Sequence, residues 1–151
     1  MRPERVVVGV DFDDASLEAT RWVIRHLFPD SHHLLVHALD VRDPPPYLGL
    51  TRSDDVMEED RQQAINRLAD FQEEVQDSSQ HEVRKGRPDE VLSQLADAHD
   101  AGLIAVGRGS GGGGFLGTTA ERLVNAASVP VLMIPNAPGA APGDVLVAVD
   151  D

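Results

Sequence analysis

Leu103-Ile104-Ala105-Val106-Gly107 runs into Arg108-Gly109-Ser110-Gly111-Gly112-Gly113-Gly114-Phe115-Leu116-Gly117, then Thr118-Thr119-Ala120-Glu121-Arg122-Leu123-Val124, and closes on Val129-Pro130-Val131-Leu132-Met133-Ile134. Leu103 to Val106 is a short continuous apolar run, as expected of a strand buried on both faces. Ala120, Leu123, Val124 and Ala127 recur on one face of a helix. Val129 to Ile134 is a second buried-type strand. A strand, a glycine-rich loop, a helix and another strand make a parallel β-α-β unit.

The same alternation extends toward the amino terminus. Val6-Val7-Val8-Gly9-Val10 reads as a buried strand, and Asp11-Phe12-Asp13-Asp14 supplies helix-capping residues after it. Ala15, Ala19, Val23 and Leu27, with Trp22 beside them, predict an amphipathic helix. Leu34 to Leu39 is the second strand. Pro44-Pro45-Pro46 excludes regular structure and makes 40–55 a long loop. Met57, Ala64, Leu68, Phe71 and Val75 predict a helix over 56–76. His81 to Lys85 reads as a short strand, ended by Gly86-Arg87-Pro88, and Pro88 suits the first turn of a helix. Val91, Leu92, Leu95 and Ala98 give that helix its apolar face. The predicted fold is α/β: a Rossmann-like three-layer sandwich, with a five-stranded parallel sheet and helices on both faces. Ligands of such sheets bind beyond the carboxyl ends of the strands, where the winding reverses. The loops after Val10, Ala38 and Val106 are therefore the candidates.

The chain has 151 residues, 41% of them hydrophobic, and no cysteine. That is one domain's worth of chain with a sizeable core. It excludes disulfides, thiolate metal sites and cysteine nucleophiles. The formal charge of −13 argues against nucleic acid and against anionic membrane surfaces. The apolar run after Met1 is too short for a signal peptide or a membrane span, so a cytoplasmic location is expected. Residues 1–135 form the predicted domain and 136–144, rich in proline, alanine and glycine, a linker. In 145–151, Val145-Leu146-Val147-Ala148-Val149-Asp150 echoes the first strand. It is either one more edge strand or the start of a second, truncated copy, and in both cases it should pair with a sheet edge.

The glycine loop is the strongest chemical signal. Glycines let successive amides converge on an anion, and the helix that follows adds a favourable dipole. Thr118 and Thr119 bring hydroxyls to the same place. Gly107-x-Gly109-x-x-Gly112 matches a dinucleotide fingerprint literally, but the next strand ends Met133-Ile134-Pro135, without the acidic residue that pattern requires. Gly112-x-x-x-x-Gly117-Thr118-Thr119 has threonine where a P-loop has its lysine. Asp11, ending the first strand, can accept hydrogen bonds from a ribose hydroxyl or an adenine amino group, or can cap the helix along with Asp13 and Asp14.

Three blocks agree in order and spacing with a known family: Val8-Gly9-Val10-Asp11 with Ser16 shortly after; Gly86-x-Pro88 before a helix; and Val106-Gly107, Gly117-Thr118-Thr119-Ala120-Glu121 and Val129-Pro130-Val131-Leu132. The strand containing His37 is similar too. Over residues 5 to about 135 the chain resembles the universal stress protein (UspA-like) family. The resemblance implies an adenine nucleotide hydrolase-like sandwich, often dimeric through the last core strand, here 131–134. One branch binds ATP through a loop of pattern G-2x-G-9x-G-[S/T]. Carried over, the resemblance implies that Asp11 meets the adenosine, Val10 lies beside the base and Ala38 offers backbone hydrogen bonds to adenine, with Gly9 a further nucleotide-binding candidate. It implies that Gly107, Gly117, Thr118 and Thr119 surround ribose and phosphates, and Val106, Gly109, Ser110 and Gly111 complete the candidate nucleotide-binding residues. Here Ser110 stands at the second glycine position, and six residues, not nine, separate it from Gly117.

Other chemistry is not indicated. His32-His33 reads as solvated and His37 as a satisfied core histidine. No histidine has metal-ligand spacing with carboxylates. Ser110 lacks a neighbouring base. Asp54-Asp55 and Glu58-Glu59-Asp60 read as a solvated helix start. The expected function is binding of ATP or a related adenine nucleotide, with Mg2+ accompanying it, in stress response or regulation. The alternatives are a dimeric interaction module of the same fold that binds no nucleotide, and a slow Mg-dependent ATP hydrolase.

Overall fold

The computed structural model describes residues 3–39, 54–75, 80–107, 118–134 and 146–148. Val6, Val7 and Val8 are all buried in strand β1 (Arg5–Gly9), which pairs in parallel with β2 (His32–Leu39) on one side and β4 (Leu103–Gly107) on the other. β3 (Gln80–Lys85) lies outside β2, and β5 (Val131–Ile134) outside β4. With Leu146–Ala148 as β6, the order is β3-β2-β1-β4-β5-β6. The first five strands are parallel, as expected. β6 (Leu146–Ala148) pairs antiparallel with β5, Leu132 opposite Val147. The tail does join a sheet edge.

Alternation along each strand sends successive side chains to opposite layers. Val6, Val8, Leu35, Ala105 and Leu132 pack in the core cluster shared with α1 (Asp14–Trp22) and α2 (Asp54–Val75). Val7, Val36, Ile104, Val131 and Met133 pack in the cluster shared with α3 (Pro88–Ala98) and α4 (Thr118–Ala126). Strands buried on both faces cannot alternate with polar residues, which is why they read as unbroken apolar runs.

Three expectations need correction. The first helix does not run regularly to Leu27. It becomes a π-helical turn over Val23–Leu27, closed by the Phe28 N–H donating to the Val23 carbonyl at 2.9 Å. The wider turn keeps Val23 and Ile24 together in the core. On α3 the buried apolar residues are Val91, Leu92, Leu95 and Ala96, with Asp89 buried too, while Ala98 is exposed. At 100° per residue Ala98 falls on the flank of that stripe. His33 is 3% exposed, not solvated, because β2 begins at His32 and its alternation turns one histidine out and the next in. The 40–53 stretch, the 136–144 linker and most of the glycine loop lie outside the described residues. Among the described residues no helix is long and apolar enough to cross a membrane.

Candidate functional site

Sheet order alone brings the candidate residues to one edge. From β1 the chain steps outward to β2 and β3, then crosses back to β4 on the other side of β1. The reversal leaves a crevice between the carboxyl ends of β1 and β4. Gly9 is in register with both Val36 and Val106, so Val10, Asp11, Ala38 and Gly107 emerge at the same end. Val10 extends the pairing by one bond, its N–H donating to the Val36 carbonyl at 2.8 Å. Its side chain is buried in the α1/α2 core, so it faces the crevice with main chain.

The turn from β1 into α1 is fixed by side chains. The Asp11 N–H donates to Ser16 Oγ at 2.9 Å, and the Ser16 N–H donates to Asp13 Oδ1 at 2.7 Å. Asp13 is thus the N-cap of α1. The two roles open to the aspartates in the sequence divide cleanly: Asp13 caps, and the Asp11 side chain stays exposed at the crevice. Ser16 is 4% exposed. Its carbonyl also accepts from Thr20 Oγ1 at 2.9 Å, which ties the first turn of the helix to the second.

Gly107 explains how close the two halves of the edge are. A Cβ there would lie 3.3 Å from Ser16 Cα and 3.2 Å from Ala19 Cβ. The first turn of α1 therefore rests directly on the end of β4, and only glycine leaves it room. The glycine loop thus departs from a point against the Asp11–Ser16 turn. A Cβ on Gly9 would meet the side-chain tips Leu92 Cδ1 and Val106 Cγ1, each at 3.0 Å.

On the α2 side the edge is closed by a stack. His37 Nδ1 lies 2.8 Å from the Val10 carbonyl. A carbonyl only accepts, so Nδ1 carries the proton. The His37 and Phe12 rings lie 4.6 Å apart, and the Arg67 guanidinium sits 4.2 Å from the Phe12 ring centre. Cation, phenyl ring and imidazole make one wall. His37 does have a partner, as a satisfied core histidine should, though it is only half-buried. Phe12 and Arg67 were not foreseen: 55 residues separate them, and only the packing of α2 over the end of β1 joins them.

Of the expected residues, Gly9, Val10, Asp11, Ala38, Val106 and Gly107 gather at this edge. Thr118 and Thr119 open α4. Gly109, Ser110, Gly111 and Gly117 lie outside the described residues. Among the described residues no group of histidines and carboxylates could hold a metal ion.

Comparison with known proteins agrees with this frame. Residues 3–135 match the model of the universal stress protein family. The chain is 28% identical over 141 residues to universal stress protein MJ0531 of Methanocaldococcus jannaschii, covering 87% of this chain and 81% of that one. Two solved structures share the fold. One is a universal stress protein family protein from Arabidopsis thaliana with AMP bound (TM-score 0.57, 19% identity, 87% of this chain and 90% of that one). The other is the universal stress protein from Archaeoglobus fulgidus in complex with dAMP (TM-score 0.55, 20% identity, 85% and 95%).

Proposed function

Because the chain belongs to the universal stress protein family, we propose that it binds ATP or a related adenine nucleotide at the carboxyl edge of β1 and β4. One observation carries the reading: Ser16 both accepts from the Asp11 main-chain N–H and packs against Gly107, so the Asp11 turn and the start of the glycine loop meet at one residue. In this reading Asp11 accepts from the ribose or adenine, and the Ala38 main chain and Gly9–Val10 border the base. Val106, Gly107, Gly109, Ser110, Gly111, Gly117, Thr118 and Thr119 surround ribose and phosphates. Nucleotide-bound relatives of the same fold support the choice of ligand. Any Mg2+ would arrive with the phosphates, as it does where it keeps its water shell.

The role proposed with it is sensing or regulation under stress in the cytoplasm, by occupancy and not by turnover. Domain 1–135, linker 136–144 and strand segment 145–151 are the working division. A homodimer through Val131–Ile134 would have to displace or exchange β6, which pairs with that strand.

Calorimetric titration of the purified chain with ATP, AMP and cyclic AMP tests the reading. Saturable binding of at least one, below about millimolar, is the expected result. No binding of any of the three, from a chain that still self-associates, would favour an interaction module instead.

A further inference from the structure

The end of the sheet opposite Asp11 holds a cavity of about 400 Å3. Its polar wall is made by Arg5, His32, Gln80 and His99, over a floor of Val7 and Leu34. We propose that this cavity is a second binding site, for a phosphate-bearing small molecule. The proposal stands independently of the nucleotide reading.

The donors converge by register. Arg5 and His32 are paired partners on neighbouring strands, and the Leu34–Gln80 pair lies two residues further along β2. Alternation puts all four on the layer covered by α3. His99, the C-cap of α3, closes the third side, and Arg5 Nη1 donates to its carbonyl at 3.0 Å. That bond anchors the guanidinium at the negative end of the helix and uses one of its five N–H groups. The remaining donors form a fork suited to a tetrahedral oxyanion. His99 Nε2 lies 3.9 Å from Glu82 Oε2. Among the described residues no carboxylate lines the cavity itself, the Glu82 carboxylate standing behind His99, while three of the chain's six histidines do. A wall of donors this free of acid within so acidic a chain selects for a negative ligand. The volume exceeds that of a bare phosphate and falls in the range of small-ligand pockets, leaving space for a compact polar body.

The test is an NMR titration of the labelled full chain with glycerol 3-phosphate and, separately, with inorganic phosphate. Saturable shifts are expected at the Arg5, His32 and His99 side chains, with Asp11 and Gly107 unmoved. Arg5→Gln should weaken the affinity about tenfold, the worth of one charge-assisted bond. His32 is exposed, so His32→Gln carries the test if Arg5→Gln does not fold. Tighter binding of glycerol 3-phosphate supports an organic phosphate; equal affinities support the free anion in the same site. Shifts that do not saturate by about 20 mM, shifts confined to the Asp11 edge, or affinity unchanged in both variants would overturn the proposal.

Discussion

The Ser16 hydroxyl accepts the amide proton of Asp11 across 2.9 Å, while the Ser16 amide is held by Asp13. One buried serine therefore sets the main chain on which the exposed Asp11 carboxylate stands. Ser16→Ala should cost about 1 kcal/mol in denaturant unfolding, by removing the acceptor of a part-buried N–H. Nucleotide affinity should fall with it, since the Asp11 turn loses its anchor. An unchanged unfolding midpoint would show the bond to be dispensable.

Asp11 and Asp13 should separate binding from stability. Asp11→Asn, at an exposed position, should leave stability within about 0.5 kcal/mol and weaken ATP about tenfold or more. Asp13→Ala should cost about 1 kcal/mol through the lost cap and change affinity little. Calorimetry and unfolding on the same two variants decide it; equal losses of affinity would refute the division of labour.

Gly107→Ala should be worse than Gly9→Ala. At Gly107 the new methyl meets the Ser16 backbone and Ala19 Cβ, which no rotamer can move. Displacing α1 should cost about 1–3 kcal/mol. At Gly9 the obstacles are the side-chain tips of Leu92 and Val106, and the Leu92 tip can turn aside. Comparing the two unfolding midpoints tests this, and the reverse order would contradict the packing of α1 on β4.

How much of this was legible in sequence depends on distance along the chain. Val6–Val8 and Leu103–Ala105 announced themselves because a strand covered on both faces has no polar positions to obscure it. Asp11 was legible as the last residue before a turn. The π-turn was not: Val23 and Leu27 keep the same four-residue spacing in either helix type. The burial of His33 was invisible because His32-His33 alone does not fix which ring faces inward. Phe12 and Arg67 were illegible because α2 must dock before they meet.

Trp22 offers a test of the core. It is buried, and its Nε1 has no hydrogen-bond partner among the described residues. Trp22→Phe removes that unpaired donor while losing some volume, so the two effects should offset to within about 1 kcal/mol. Trp22→Ala should cost about 3–5 kcal/mol. A large loss for the phenylalanine variant would mean that the indole N–H is satisfied.

Val147→Pro should uncover β5. Val147 is in register with Leu132, and proline cannot donate to a ladder. Sedimentation should show a larger share of dimer than the parent chain, because the β5 edge becomes free to pair with another copy. A distribution identical to the parent would indicate that β6 does not guard that edge.

β1 carries Arg5 at one end and leads to Asp11 at the other, with strands bonded along both its sides and three buried valines between. The two ends are about 20 Å apart at the rise of an extended strand, beyond the reach of screened charge in physiological salt. A rod clamped in this way resists rearrangement, and structural coupling between distant pockets works through one. Occupying one pole of the molecule should therefore leave the other pole's appetite unaltered, so that each reports its own ligand without cross-talk.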